Sequence, residues 1–270
     1  MDQSAPHRLF DSTLPDALPG PVPAGEIYRR LSFPDRGQGG TPRPYTVINM
    51  VSTADGKVVV GEPGTTGMIG GSTDHLLMGR LMMATDGELF GAQLIRDDNP
   101  RHPRLSDAEQ EERSQRGLRP QPFWVIVTTR ASFRPLPRAL EAGKDNIAIF
   151  AGSQIEPEHA RHLEPLAQLY VGDSPGVDFS WMGRVLYEEI GLRRLNCLGG
   201  PSLNGSLIAA GAADELFLTL APKLKSGRGL PTAVEGDPFP ADAMPRMELR
   251  SLYAHDGELY LRYRLPASRA

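Results

Sequence analysis

At 270 residues, 40% hydrophobic and 23% charged, the chain can bury a sizeable core, and one large α/β domain with an extension fits its length as well as two domains do. A formal net charge of -4 supplies no basic field for nucleic acid or anionic lipid, no apolar run approaches a membrane span, and Met1 to Gly20 lacks the layout of a signal peptide. The expectation is a cytoplasmic protein with a small-molecule partner, no nucleic acid and no membrane; the lone Cys197 allows no intramolecular disulfide and reads as a buried strand residue rather than a nucleophile.

Residues 1–44 hold eight prolines and five glycines and show no sustained period. Residues 1–43 therefore read as an extended arm that wraps the body or a partner subunit, with a short helix around Glu26 to Leu31. The body, residues 44–266, opens with Tyr45 to Ser52, whose β-branched run predicts a central strand. Ala54-Asp55-Gly56-Lys57 is a turn, and Val58 to Val60 reads as a short returning strand. Gly61 to Gly71, with five glycines and Thr65-Thr66, is a loop over a site or a long connection. Ser72-Thr73-Asp74 caps a predicted helix running to Thr85.

Glu88 to Phe90 predicts a strand, and Gly91 to Pro100 a glycine-started polar turn. Its Asp97, Asp98 and Asn99 lack the spaced partners of a metal site, so no metal is expected. The mixed charges of Arg101 to Gln121 suit an exposed loop or surface helix. Phe123 to Thr129 is a clear strand with Arg130 at its carboxyl end, where ligands of open α/β sheets lie. Ile147 to Phe150 is another strand; Pro157 to Leu169 and Trp181 to Ile190 have helical spacing.

Leu195 to Leu198 leads into Gly199-Gly200-Pro201-Ser202-Leu203-Asn204-Gly205-Ser206, a strand that ends at a glycine pair and opens a helix with Ser202 or Asn204 as N-cap. Glycines let a ligand approach the backbone, and unpaired helix-start amides favour a phosphate, although an ordinary strand-to-helix turn has the same letters. Glu215 to Ala221 is a strand, and Met247 to Tyr253 with Glu258 to Leu265 forms a hairpin about Asp256-Gly257. The whole predicts α/β: a mixed, mainly parallel sheet with helices on both faces and a C-terminal antiparallel hairpin.

Taken in order, Thr53-Ala54-Asp55-Gly56-Lys57, Gly91-Ala92-Gln93 with Asp98-Asn99-Pro100, Pro122 to Arg130, and Gly199 to Leu207 followed by Asp214-Glu215-Leu216 resemble the riboflavin-biosynthesis pyrimidine reductases. That family comprises the reductase domain of the bifunctional deaminase–reductase and its stand-alone relatives. The resemblance, from about Arg43 to Leu265, implies a dihydrofolate reductase-like fold, a homodimer, and hydride transfer from NADPH to the ribose-derived chain of 5-amino-6-(5-phosphoribosylamino)uracil.

It places Gly199, Gly200, Pro201, Ser202, Leu203, Asn204, Gly205 and Ser206 at the cofactor pyrophosphate. Thr129 and Arg130 fall at the adenosine 2′-phosphate, and Val51, Leu94 and Asp98 around the rest of the cofactor. Asn49, Lys57 and Asp98 are the polar groups expected near the reacting centre, and Thr66, Met82 and Leu198 are placed at the substrate. The substrate side departs from the family: Leu198 stands for a glutamate that holds the pyrimidine, while Met82 and Leu105 stand for phosphate-gripping arginines, with Arg80, Arg101 and Arg104 close by in sequence. Two alternatives stay open, another substrate on the same fold and cofactor, and a non-catalytic NADP-binding protein.

Overall fold

The computed structural model describes residues 5–14, 16–37, 42–59, 61, 68–133 and 136–266. Along the chain run β1 (His7–Asp11), β2 (Gly20–Pro21), β3 (Tyr45–Thr53), α1 (Ser72–Met82), β4 (Gly87–Gly91), α2 (Ala92–Asp98), α3 (Asp107–Gln115) and β5 (Phe123–Thr128). They are followed by β6 (Ile147–Ala151), α4 (Pro157–Leu163), β7 (Gln168–Val171), α5 (Phe179–Arg184), β8 (Arg194–Cys197), α6 (Pro201–Ala209), β9 (Glu215–Ala221), β10 (Glu248–His255) and β11 (Glu258–Arg264).

All the strands join one sheet, ordered β2-β1-β10-β11-β9-β3-β8-β4-β5-β6-β7. From β9 to β7 neighbouring strands are parallel, and from β9 through β11, β10 and β1 to β2 they are antiparallel. The expected mixed, mainly parallel sheet is therefore present. Successive side chains of a strand point to opposite faces. Phe123, Val125, Ala148 and Phe150 pack with Leu186, Leu203 and Leu207 on one face. Their neighbours Trp124, Ile126, Ile147 and Ile149 pack with Ile95 and Leu163 on the other. Apolar residues at every position are what a strand covered on both faces requires, and each large side chain so buried contributes ~1.5–3 kcal/mol.

The hairpin forms where Asp256-Gly257 places it, with φ of 49° and 79° at the two turn residues, the all-positive pattern of a type I′ turn. Several elements differ from expectation. Gly91 to Pro100 is not a turn: α2 fills it and stops at Asn99, whose φ of 42° is the left-handed C-terminal conformation. The helix expected through Leu169 ends at Leu163, because Pro165 cannot continue it, and Gln168–Val171 turns into β7 against β6. The helix expected to reach Thr85 ends at Met82 and is capped by Gly71 rather than by a side chain. The segment Trp181 to Ile190 divides into α5 and a π-helical turn, Val185–Glu189.

In the N-terminal segment, β1 pairs with β10, and a single 3-10 turn, Ala24–Glu26, stands in place of the short helix. Arg80 of α1 donates to the carbonyls of Ala24 and Ile27, tying that segment down. Val58 and Val59 lie outside any strand, and Val60 falls outside the described residues.

Candidate functional site

The carboxyl ends of β3, β4, β5 and β8 open onto a cleft of about 920 Å³, walled by α1, α2 and the start of α6. Parallel strands collect ligands at this end, where their connections diverge to opposite faces. Between β3 and β5 lie three inter-strand spacings, roughly 14 Å, so the cleft runs across several strand ends and suits an extended ligand. A smaller hollow of about 330 Å³ beside Phe133 and α4 carries none of the motif residues.

The glycine pair builds the centre of this cleft. Leu198 N–H donates to the Leu89 carbonyl at 3.0 Å and Gly91 N–H to the Gly199 carbonyl at 2.7 Å, which prolongs the pairing of β8 with β4 past the strand ends. Gly199 takes a φ of 89°, the Gly199–Gly200 peptide is cis, and a Cβ on Gly91 would stand 3.3 Å from Gly200 N. Helix α6 then starts with Gly200 as N-cap and Pro201 in its first turn, not with Ser202 or Asn204 as cap. Pro at that position loses no helix bond, since the first N–H groups of any helix lack an intrahelical acceptor. Ser202 and Leu203, both lining the cleft, follow it, so their amides present a partial positive charge suited to a phosphate.

Of the expected site residues, the cleft brings together Asn49, Val51, Leu94, Asp98, Thr129, Leu198, Gly200, Pro201, Ser202, Leu203 and Ser206. Others have different work. Asn204 is buried and its Nδ2 donates to the Ala233 carbonyl at 2.8 Å. Gly205 packs against the Glu235 backbone, and Gly199 is covered by Met50, so all three are scaffold for the cleft rather than its lining.

Lys57 points its amine to the Leu230 carbonyl at 3.4 Å, outside the cleft lining. The Asp-Gly-Lys turn is a latch: the Asp55 carboxylate accepts from the Thr53 hydroxyl and from the amides of Lys225 and Ser226, which hold its pKa down at about 2. Arg130 is exposed beyond the cleft edge. Met82 sits at the far end of α1, its carbonyl accepting from Arg113, and Leu105 is buried away from the cleft. Arg80 is occupied with the N-terminal segment, and Thr66 lies outside the described residues. Burial pushes the Cys197 thiol up to about 12, so it is no nucleophile.

Residues not singled out beforehand also line the cleft: Asp74, His75 and Met78 from α1, Gln93 and Arg96 from α2, and Glu235. Spacings of three and four put each set on one helix face. For α2 that signal required recognising a helix in a polar segment. Burial raises the Asp74 carboxyl above its ordinary range against a lowering hydrogen bond from Thr219, with the Glu258 charge raising it further and His75 lowering it. Among the described residues no group of His, Cys, Asp and Glu is arranged to hold a metal, and no helix is long and apolar enough to cross a membrane.

Known proteins resemble this chain in sequence and fold. A reductase for 2,5-diamino-6-ribosylamino-4(3H)-pyrimidinone 5′-phosphate from Archaeoglobus fulgidus is 29% identical over 73% of this chain and 89% of its own. The enzyme of the same name from Methanothermobacter thermautotrophicus is 28% identical over 82% of this chain and 98% of its own. A pyrimidine reductase-like protein from Corynebacterium diphtheriae superposes with a TM-score of 0.68 at 19% identity, covering 83% of this chain and 93% of that one, so the fold is dihydrofolate reductase-like. The model of the RibD C-terminal domain matches residues 44–261, and the chain belongs to that family of reductases.

Proposed function

We propose that this reductase uses NADPH to reduce the ribosyl group of a 6-ribosylaminopyrimidine 5′-phosphate. The observation that carries the reading is the glycine-pair cradle, which opens the α6 amides into a cleft of about 920 Å³. When bound, NADPH supplies the hydride. The chain's own part is positioning, since hydride transfer needs the acceptor carbon held against the donor rather than a nucleophile. Gly200 to Leu203 and Ser206 would hold the pyrophosphate. Asn49 on β3 is the polar group nearest the end where the hydride would pass, Asp98 on α2 would serve the cofactor farther along the cleft, and Val51 and Leu94 would pack against its rings. The family resemblance also carries a homodimeric, cytoplasmic enzyme.

At the β5 end, Thr129 is joined by two guanidinium groups, Arg96 on the cleft wall and Arg130 just outside it. A guanidinium matches a phosphate in two parallel bonds, and such a charge-assisted contact is worth ~1.5–3 kcal/mol. Replacing Arg96 by Ala is expected to weaken NADPH about tenfold or more while leaving NADH nearly unchanged, and Arg130→Ala to do less. Titration of both nucleotides by fluorescence checks this. Equal losses for NADPH and NADH would remove Arg96 from the 2′-phosphate.

A second reading keeps fold and cofactor and changes the substrate. It rests on Leu198, which puts an apolar side chain beside the glycine pair. Consumption of NADPH with ribosylaminopyrimidine phosphates decides between the two, and a bound but unconsumed cofactor favours the second or a non-catalytic NADP-binding protein.

A further inference from the structure

A ligand carrying a pyrimidine ring must satisfy that ring's polar edge somewhere in the cleft, and Leu198 leaves the glycine-pair side without a carboxylate to do so. On the side toward β9, α1 turns Asp74 and, one turn on, Met78 into the cleft. Asp74 shares a hydrogen bond with Thr219 of β9, and Thr219 sits in register with Val51, itself a cleft residue. The other carboxylates have different placements. Glu235 accepts from the Thr232 amide and hydroxyl at 2.7 and 2.9 Å, and Asp97 accepts from Gln93 at 2.7 Å. Asp98 stands on α2, across the sheet from β9. Glu258 is buried behind α1, taken by the Gly71 amide and the Tyr260 hydroxyl.

We propose that Asp74, positioned by Thr219, pairs with the N3–H and 2-amino group of a 2-aminopyrimidin-4-one ring and so selects the 2,5-diaminopyrimidinone form of the substrate over the 5-aminouracil form. The proposal rests on the reductase reading above. A carboxylate accepts twice and donates nothing when ionised. The 2-amino ring offers two adjacent donors, a fork that both Asp74 oxygens can meet. On that same edge uracil offers only N3–H flanked by two carbonyls, so one oxygen of Asp74 would face another lone pair. The apolar walls contributed by Met50, Val58 and Met78 strengthen the difference, because unpaired polar groups cost most where water is excluded. Two N–H donors on Asp74 also favour its ionised form against the burial that opposes it.

The test follows NADPH oxidation with the two ribosylamino phosphates, which differ only at ring position 2. The wild-type protein should prefer the diamino compound by at least about 100-fold in kcat/KM, a conservative floor beneath the roughly 10⁴–10⁵ by which a site built for an N–H rejects an analogue lacking it. Asp74→Asn should invert the preference, because a carboxamide accepts from N3–H and donates to the uracil carbonyl. Thr219→Val, which keeps the carboxylate but loosens it, should narrow the wild-type ratio and remains informative if Asp74→Asn does not fold. Equal use of both compounds by the wild type, or a common loss in Asp74→Asn with the ratio unchanged, overturns the role of Asp74 and leaves the reductase standing. Oxidation with neither compound despite bound NADPH removes the ribosylaminopyrimidine substrate proposed above and this inference with it.

Discussion

Replacing Asp214 by Ala is expected to cost the fold about 3–5 kcal/mol, the usual penalty for stripping one partner from a buried ion pair. The Asp214 side chain is 1% exposed and that of Arg43 15%. Arg43 donates to both carboxylate oxygens at 2.7 and 2.9 Å, the Thr46 amide to one of them at 2.8 Å, and Arg36 adds a third positive contact. An exposed pair would contribute ~0–1 kcal/mol, and burial decides that this one does not behave so. Without the carboxylate, the Arg43 guanidinium is left in a pocket built for its counter-charge at the start of the two central strands. Asp214→Asn keeps an acceptor for Thr46 and should lose less. Urea unfolding measures both, and a loss below about 1 kcal/mol for Asp214→Ala would place the pair among surface bridges.

Gly205→Val should damage binding as well as stability. A Cβ there would lie 2.0 Å from the Glu235 carbonyl oxygen and 3.0 Å from its carbonyl carbon, backbone that no rotamer change can move. Helix α6 and the 232–235 loop must separate, and the two together carry Ser202, Leu203, Ser206 and Glu235 of the cleft. Overpacking of this kind costs ~1–3 kcal/mol of stability. NADPH affinity should fall at least tenfold, about 1.4 kcal/mol. Gly79→Ala serves as control: nothing lies within 4 Å of its Cβ, and in the interior of α1 the change should stabilise by ~0.5–1 kcal/mol. Unchanged nucleotide affinity in Gly205→Val would separate the α6 cradle from the cofactor.

Legibility in the sequence followed physical locality. Strand β5 announces itself because both its faces are covered and its apolar run from Phe123 to Val127 is unbroken, and β3 and β9 because apolar and β-branched residues dominate them. Asp256-Gly257 marks its hairpin because the turn's backbone demands those residues. Helix α2 stays hidden, since only Ala92 and Ile95 of its seven residues are buried and no apolar stripe shows. Strand β7 stays hidden because the leucines on either side of Pro165 continue a helical spacing that the proline interrupts. Strand β1 depends on β10, and the Ser12 hydroxyl bonds the Arg250 carbonyl across 238 positions of chain, so no local window contains the reason for it.

The same holds for the site. The glycine pair is visible as letters because Gly199 takes a φ of 89°, a left-handed conformation that favours glycine. Asp74 looks like one of three capping residues until β9 brings Thr219 beside it. Asp214-Glu215, part of the motif run, fastens the fold: Asp214 clasps Arg43, and Glu215 takes a two-pronged bond from Arg262 at 2.8 and 2.9 Å.

The central claim is that the cleft at the carboxyl ends of β3 to β5 holds NADPH beside a ribosylaminopyrimidine phosphate and reduces it. The most direct measurement is NADPH absorbance on mixing the full chain with the cofactor and the 2,5-diamino compound. The account predicts a continuous loss of absorbance, one cofactor per ribosyl group reduced, that is much slower with NADH. Cofactor that binds and is not consumed with either the diamino or the uracil compound would contradict it.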